Sequence, residues 1–221
     1  MNSPRVDIAA EHSLRITEIF LSLQGESSTV GHPTVFVRTT GCPLRCNYCD
    51  TAYAFSGGHT MGLDAIVTAV TDFAVDHVTL TGGEPLAQSA SLPLMARLCE
   101  QGFKVSLETS GALDVSGVDP RVMKVVDIKT PASGENGRNL VSNLDYLNPG
   151  DQLKFVIADR ADYEWSREFI AALEGAAEIL FSPSYEQLPA RELADWVVAD
   201  RLAVRFQIQL HKILWGDEPG R

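Results

Sequence analysis

Six apolar runs in this chain end in polar or glycine-rich punctuation, and that repetition constrains the fold more than any other feature. The endings are Thr40-Gly41-Cys42, Thr81-Gly82-Gly83-Glu84-Pro85, Glu108-Thr109-Ser110-Gly111, Asp127-Ile128-Lys129-Thr130-Pro131, Ser182-Pro183-Ser184-Tyr185 and Gln209-Leu210-His211. The runs belong to a wider alternation. β-branched patterning predicts strands over 15–21, 34–39, 77–80, 104–108, 124–128, 153–157, 179–181 and 204–209. Helices are expected over 63–73, 91–100, 162–173 and 190–198, with Leu63, Ile66, Val67 and Val70 on one face of the first. Strands alternating with helices imply a parallel sheet built by βαβ crossovers. In parallel barrels the C-terminal strand ends form one face, where chemistry collects. A chain of 221 residues with four helices is too short for eight βα units. The expected fold is α/β, a single-domain open partial (β/α) barrel with a mostly parallel sheet over residues 14–221. A flexible N-terminal arm, residues 1–13, precedes it.

Composition removes several function classes. No apolar run approaches the ~20 residues of a spanning helix, so no membrane association is expected. The N-terminus has no apolar stretch resembling a signal peptide, which points to a cytoplasmic protein. The formal net charge is −11, from 18 basic and 29 acidic residues, with no dense Lys/Arg run. Nucleic acid is therefore not an expected partner.

Three of the four cysteines, Cys42, Cys46 and Cys49, fall within eight residues at the spacing C-x3-C-x2-C. Crowded cysteines with one distant fourth make a poor disulfide framework, and in a reducing compartment they more often bind metal. A zinc site is one reading, but the neighbouring sequence lacks the second pair of ligands zinc fingers use. A thiol nucleophile explains one cysteine and leaves two over. Three thiolates on one loop suit three irons of a cubane cluster, with the fourth iron open to a substrate or cofactor. Cys99 lies on the apolar face of an expected helix and reads as a small buried hydrophobe.

The spacing, with Tyr48 before the last cysteine, resembles the signature of the radical S-adenosylmethionine (SAM) superfamily. Gly82-Gly83-Glu84-Pro85, following a strand, resembles that superfamily's second mark, and its glycines permit close main-chain approach to a ligand. The resemblance implies a 4Fe–4S cluster on the three cysteines and SAM on its open iron. Reduction of the cluster then cleaves SAM to a 5′-deoxyadenosyl radical. Tyr48, Gly83, Glu84, Glu108, Ser110, Asp127, Ile128 and Lys129 are implied to hold SAM, with Ser182, Pro183 and Ser184 closing over its adenine.

Further motifs are similar to the 7-carboxy-7-deazaguanine synthase family from about Leu14 to Trp215. They are the stretch from Ile19 to Glu26, Val35-Phe36-Val37-Arg38, Cys49-Asp50-Thr51 and Gln207-Ile208-Gln209-Leu210-His211-Lys212. That family acts on 6-carboxy-5,6,7,8-tetrahydropterin in the route to queuosine. The radical takes the C6 hydrogen, the ring contracts and ammonia leaves. The resemblance implies that Leu23, Gln24, Gly25, Glu26, Arg38, Thr81 and His211 bind the pterin. Gln24 and Glu26 have the donors and acceptors to read its amide and amino edge, and Arg38 suits its carboxylate. Thr51 is the implied magnesium (Mg2+) ligand. A flavodoxin or ferredoxin as electron donor and a homodimer are implied as well. Plainer readings exist for single residues: a turn at 23–25, a surface ion pair for Arg38, a helix cap for Thr51. The alternative enzyme is a glycyl-radical-enzyme activase, which would need no pterin-reading motif at residues 23–26. A non-catalytic cluster or zinc carrier leaves the strand-end motifs unexplained.

Overall fold

The structure is a computed structural model and describes residues 12–173, 175, 177–216, 218 and 220. Nine strands form one sheet. In chain order they are β1 (Ser13–Leu23), β2 (Pro33–Thr39), β3 (His59–Gly62), β4 (His77–Gly82), β5 (Lys104–Thr109), β6 (Met123–Ile128), β7 (Gln152–Ile157), β8 (Glu178–Pro183) and β9 (Arg205–Phe206). Their spatial order is β3-β1-β2-β4-β5-β6-β7-β8-β9. Neighbours from β2 to β9 are parallel, while β1 runs antiparallel to both β2 and β3. The ends β3 and β9 do not pair, so the sheet is an open, mostly parallel one, as the alternation predicts.

Helices α1 (Leu63–Thr71), α2 (Ser91–Glu100), α3 (Arg160–Ala171) and α4 (Ala190–Asp200) cover one face of this sheet, and a short α5 (Leu210–Trp215) follows β9. Two apolar clusters form beneath them. One joins Val35, Val37, Val78, Leu80, Val105 and Leu107 to Ile66, Val70, Leu94 and Leu98. The other joins Val126, Ile128, Leu153, Phe155 and Phe181 to Tyr163, Leu193 and Val197. Strand side chains alternate between faces, so the residues between these apolar ones point the other way. That opposite phase reads Thr79, Thr81, Ser106, Glu108, Val125, Asp127, Gln152, Lys154 and Ser182. A strand buried on both faces would be apolar throughout; here the inner face is polar, and Thr81, Glu108, Val125, Asp127 and Lys154 on it line a site.

Strand β1 needs a phase change to contribute to both faces. Leu14 and Ile16 are core residues, yet a register shift between Ile16 and Glu18 moves Glu18 and Phe20 to the inner side, opposite Arg38 and Phe36. A bulge inserts one residue and so reverses which face the following residues take.

Several expectations need correction. The expected strand 204–209 is only two residues long, because β9 is an edge with one neighbour. The chain then turns into α5, so His211 lies in a helix and does not end a strand. Strand β3 has no apolar pattern and is specified by its pairing with residues 13–16. Ser13, expected to end the N-terminal arm, instead begins β1 and pairs with Gly62; residues 1–11 of that expected arm lie outside the described residues.

Candidate active site

The inner face and the parallel strands' C-terminal ends enclose a cavity of about 610 Å³. Its walls hold Cys42, Cys46, Tyr48, Cys49, Thr51, Arg38, Thr81, Gly83, Glu108, Ser110, Asp127, Lys129, Ser184 and His211, with Leu23, Gln24, Gly25 and Glu26. Eighteen of the residues singled out in the sequence therefore meet in one place. Glu84, Ile128, Ser182 and Pro183 do not line it.

The cysteine loop is positioned from two sides. From β4, the Gly83 N–H donates to the Thr39 carbonyl at 3.1 Å and the Glu84 N–H to the Gly41 carbonyl at 2.8 Å. A Cβ on Gly83 would sit 2.2 Å from the Gly41 oxygen, so only glycine lets the two loops cross. From the turn after β6, Asn47 donates to the carbonyls of Ser133 and Ala132 at 3.0 Å each, and the Arg45 N–H donates to Glu135. Burial raises all three thiols above the usual cysteine value, with Lys129 acting the other way. Among the described residues no three His, Cys, Asp or Glu side chains converge closely enough to hold one ion. Cys99 lies apart, packed against the first apolar cluster.

Glu84 is fully buried, and its carboxylate is engaged entirely by the chain. It accepts from the Leu86 N–H at 2.9 Å, the Thr109 hydroxyl at 2.9 Å, and the N–H (2.7 Å) and hydroxyl of Ser110. The Glu84 carboxylate, expected to hold SAM, is thus bonded within the chain, where it ties the end of β4 to the end of β5. Ile128 takes the core phase of β6 and packs under the helices. Pro183 faces a separate apolar groove with Leu188 and Ile213. Ser182 is buried, leaving Ser184 as the member of its trio at the cavity.

Residues 23–26 reach the site from the opposite end. Because β1 runs against the parallel strands, its C-terminal end meets their N-terminal ends. The loop after it turns inward as a floor. Gln24 donates to Thr79 (3.1 Å) and Glu108 (3.3 Å) and accepts from the Glu26 N–H (3.2 Å). Thr81 donates to the other Glu108 oxygen at 2.9 Å. The amide of Gln24 and the carboxylate of Glu108 are thus engaged with each other across the floor. Gly25 is required by its neighbour: a Cβ there would lie 2.1 Å from Nδ1 of His211. The Gly25 carbonyl accepts from the Leu210 N–H at 3.0 Å, docking α5 on the floor. Burial, the leading influence, lowers the His211 imidazole below the usual histidine value. The next residue, Lys212, pairs with Asp50 at 3.6 Å, so α5 spans from the floor loop to the cysteine loop.

Two charged groups of the site, Lys154 and Glu18, belong to none of the sequence motifs. Lys154, on β7, places Nζ 3.1 Å from Glu26 Oε2 and 3.6 Å from Asp127 Oδ2. Lys129 Nζ is 3.0 Å from that same Asp127 oxygen. Burial alone would lower the Lys154 ammonium, but Glu26 and then Asp127 hold it above the ordinary lysine value. Glu18 accepts from Arg38 Nε at 2.7 Å and from the Tyr53 hydroxyl at 2.8 Å, fixing the Arg38 guanidinium at the wall. The signal for Lys154 was its phase: it occupies the same inner-face position on its strand as Asp127 and Glu108 do on theirs. Burial, with Asp127 next, pushes the Tyr48 phenol up to about 12, so it stays protonated beside the cysteines. Thr51 donates to Asp50 Oδ1 at 2.8 Å and makes no helix cap with its side chain.

A family model described as the radical SAM superfamily matches residues 36–127. The 7-carboxy-7-deazaguanine synthase of Koribacter versatilis (strain Ellin345) is 46% identical, covering 93% of this chain and 98% of its own. The protein of the same name from Chlorobaculum tepidum is 44% identical over 96% and 98%. Among solved structures, QueE from Escherichia coli superposes with a TM-score of 0.77 at 24% identity, covering 95% of this chain and all of that one. At that identity the last likeness speaks for the fold.

Proposed function

The chain belongs to the 7-carboxy-7-deazaguanine synthases, radical SAM enzymes that use a 4Fe–4S cluster and SAM, and on that premise we propose how its residues divide the work. The substrate is 6-carboxy-5,6,7,8-tetrahydropterin, and the product 7-carboxy-7-deazaguanine forms with loss of ammonia. When bound, the cluster and SAM supply a 5′-deoxyadenosyl radical for removal of the C6 hydrogen. Cys42, Cys46 and Cys49 hold the cluster. The crossing of Gly83 over Gly41 keeps main-chain atoms within reach of the methionine end of SAM, beside Ser110, Asp127 and Lys129.

Glu26 takes the amino or amide edge of the pterin, and Arg38, held by Glu18, pairs with the substrate carboxylate as a planar fork. Gln24, Thr81 and Glu108 keep the floor in one arrangement. His211 closes the side of the cavity above Gly25. Thr51, its hydroxyl bonded to Asp50, would offer an oxygen ligand to a magnesium ion. The family resemblance also supports flavodoxin or ferredoxin as electron donor, a homodimer and a cytoplasmic setting. Among the described residues no helix is long and apolar enough to cross a membrane.

The observation that carries this reading is one cavity holding three thiols at its mouth and a buried charged floor opposite them. Its test is anaerobic reconstitution with reductant, SAM and carboxytetrahydropterin, followed by chromatography for the deazapurine. Cys46→Ala should abolish the product; an unchanged yield would refute the assignment.

A further inference from the structure

Lys154 is shared by two carboxylates that serve different ligands in the reading above, and the present inference rests on that reading. Its Nζ lies 3.1 Å from Glu26 Oε2 and 3.6 Å from Asp127 Oδ2. In each carboxylate the second oxygen, Glu26 Oε1 and Asp127 Oδ1, is buried without a hydrogen-bond partner. Glu26 is 8% exposed, and both residues line the cavity. A buried carboxylate oxygen without a donor is costly. Two such atoms on either side of one lysine therefore point to ligand donors that complete them.

The chemistry of the two sides differs. Glu26 rises from the floor, where the donors of a pterin edge would arrive. Asp127 stands at the C-terminal end of β6 next to Lys129 and the cysteine loop, where SAM offers an ammonium and ribose hydroxyls. Lys129 compensates Asp127 independently, whereas Lys154 is the partner Glu26 has for Oε2. A ligand donor on Glu26 draws charge from that carboxylate and leaves Lys154 freer to approach Asp127. The reverse holds for a ligand on Asp127.

We propose that Lys154 is a positioning residue that couples the two subsites, so that substrate bound at Glu26 and cofactor bound at Asp127 change each other's affinity. Coupling of this kind is reciprocal and commonly changes affinity about 5- to 150-fold.

The test is calorimetric titration of SAM into the anaerobically reconstituted, unreduced enzyme, with and without carboxytetrahydropterin. No reductant is present, so no turnover occurs. The expected result is about a tenfold change in SAM affinity when the pterin is bound. Lys154→Arg should keep part of that change, and Lys154→Met should bind each ligand alone with the change reduced to less than about twofold. Coupling that survives intact in Lys154→Met, or is absent from the unmodified enzyme, overturns the proposal. Should Lys154→Met fail to fold, Glu26→Gln decides: with the Glu26 charge removed, SAM affinity without pterin must shift toward its pterin-bound value, and an affinity equal to that of the unmodified enzyme without pterin overturns the proposal. Failure of the unmodified enzyme to bind the pterin at all would instead overturn the substrate assignment, and the coupling with it.

Discussion

Replacing Glu84 by glutamine is a nearly isosteric change whose sign depends on what the carboxylate does. If it waits for a cofactor group, Glu84→Gln removes a buried charge and leaves stability unchanged or higher. The structure predicts the opposite. One of the two oxygens becomes an NH2, which then faces either the Leu86 N–H or the Ser110 N–H, and that backbone donor is orphaned. An orphaned buried donor costs about 1–3 kcal/mol. The remaining bonds lose their charge assistance, which roughly doubles such bonds, for about another 1–2 kcal/mol. Relief of carboxylate desolvation offsets part of this, leaving about 3 kcal/mol. With a urea m-value of about 2.5 kcal/mol per molar, the unfolding midpoint of the cluster-free chain should fall by about 1.2 M. The assay is urea denaturation followed by circular dichroism. Glu84→Asp should fall at least as far, because a side chain one methylene shorter does not reach across to β5. A midpoint that stays put or rises in Glu84→Gln would show that the carboxylate is not committed to the protein.

Gly83→Ala should keep the fold but displace the cysteine loop, since its Cβ meets the Gly41 carbonyl; reconstitution should yield fewer than half the cluster iron per chain, and full loading would contradict this. Asp151 holds the buried Lys124 at 2.7 Å and accepts two backbone N–H groups, so Asp151→Ala should cost about 3–5 kcal/mol in urea unfolding. A loss under about 1 kcal/mol would refute the burial argument. Burial lowers both His77 and His211 below the usual value. The unfolded chain takes up those protons first, so stability present above about pH 6.5 should drain away as pH falls through the folded values. His77→Gln should flatten part of that decline; an unaltered pH profile would count against it.

The outer half of each strand was legible because it is written in apolar residues: Val78 and Leu80, Val105 and Leu107, Leu153 and Phe155 mark core positions directly. The cysteine loop and Gly82-Gly83 were legible because clustered thiols and paired glycines have few structural explanations. Lys154 was not, since an isolated lysine in an apolar run resembles a solvated side chain, and only its phase relative to Asp127 and Glu108 gives it away. The partners of Glu84 were hidden for a related reason. A carboxylate beside two glycines suggests a ligand, but the donors that engage it, Thr109 and Ser110, come from the next strand 25 and 26 residues later.

What sequence periodicity could not supply was the direction from which each group enters. An antiparallel first strand sends residues 23–26 to the end of the sheet opposite the cysteines, and the shift between Ile16 and Glu18 turns Glu18 and Phe20 inward after Leu14 and Ile16 have faced the core. Together these two departures from a regular parallel sheet close the cavity from below. The short edge strand β9 has the complementary effect. Pairing released after Gln207, whose N–H is the last to bond β8, frees the chain to fold back, so that Leu210 bonds Gly25 and Lys212 reaches Asp50. The irregular places in the sheet are therefore the ones that convert an open row of strand ends into an enclosed site, in which buried charges such as Glu26 and Lys154 are strong enough to orient a small polar ligand.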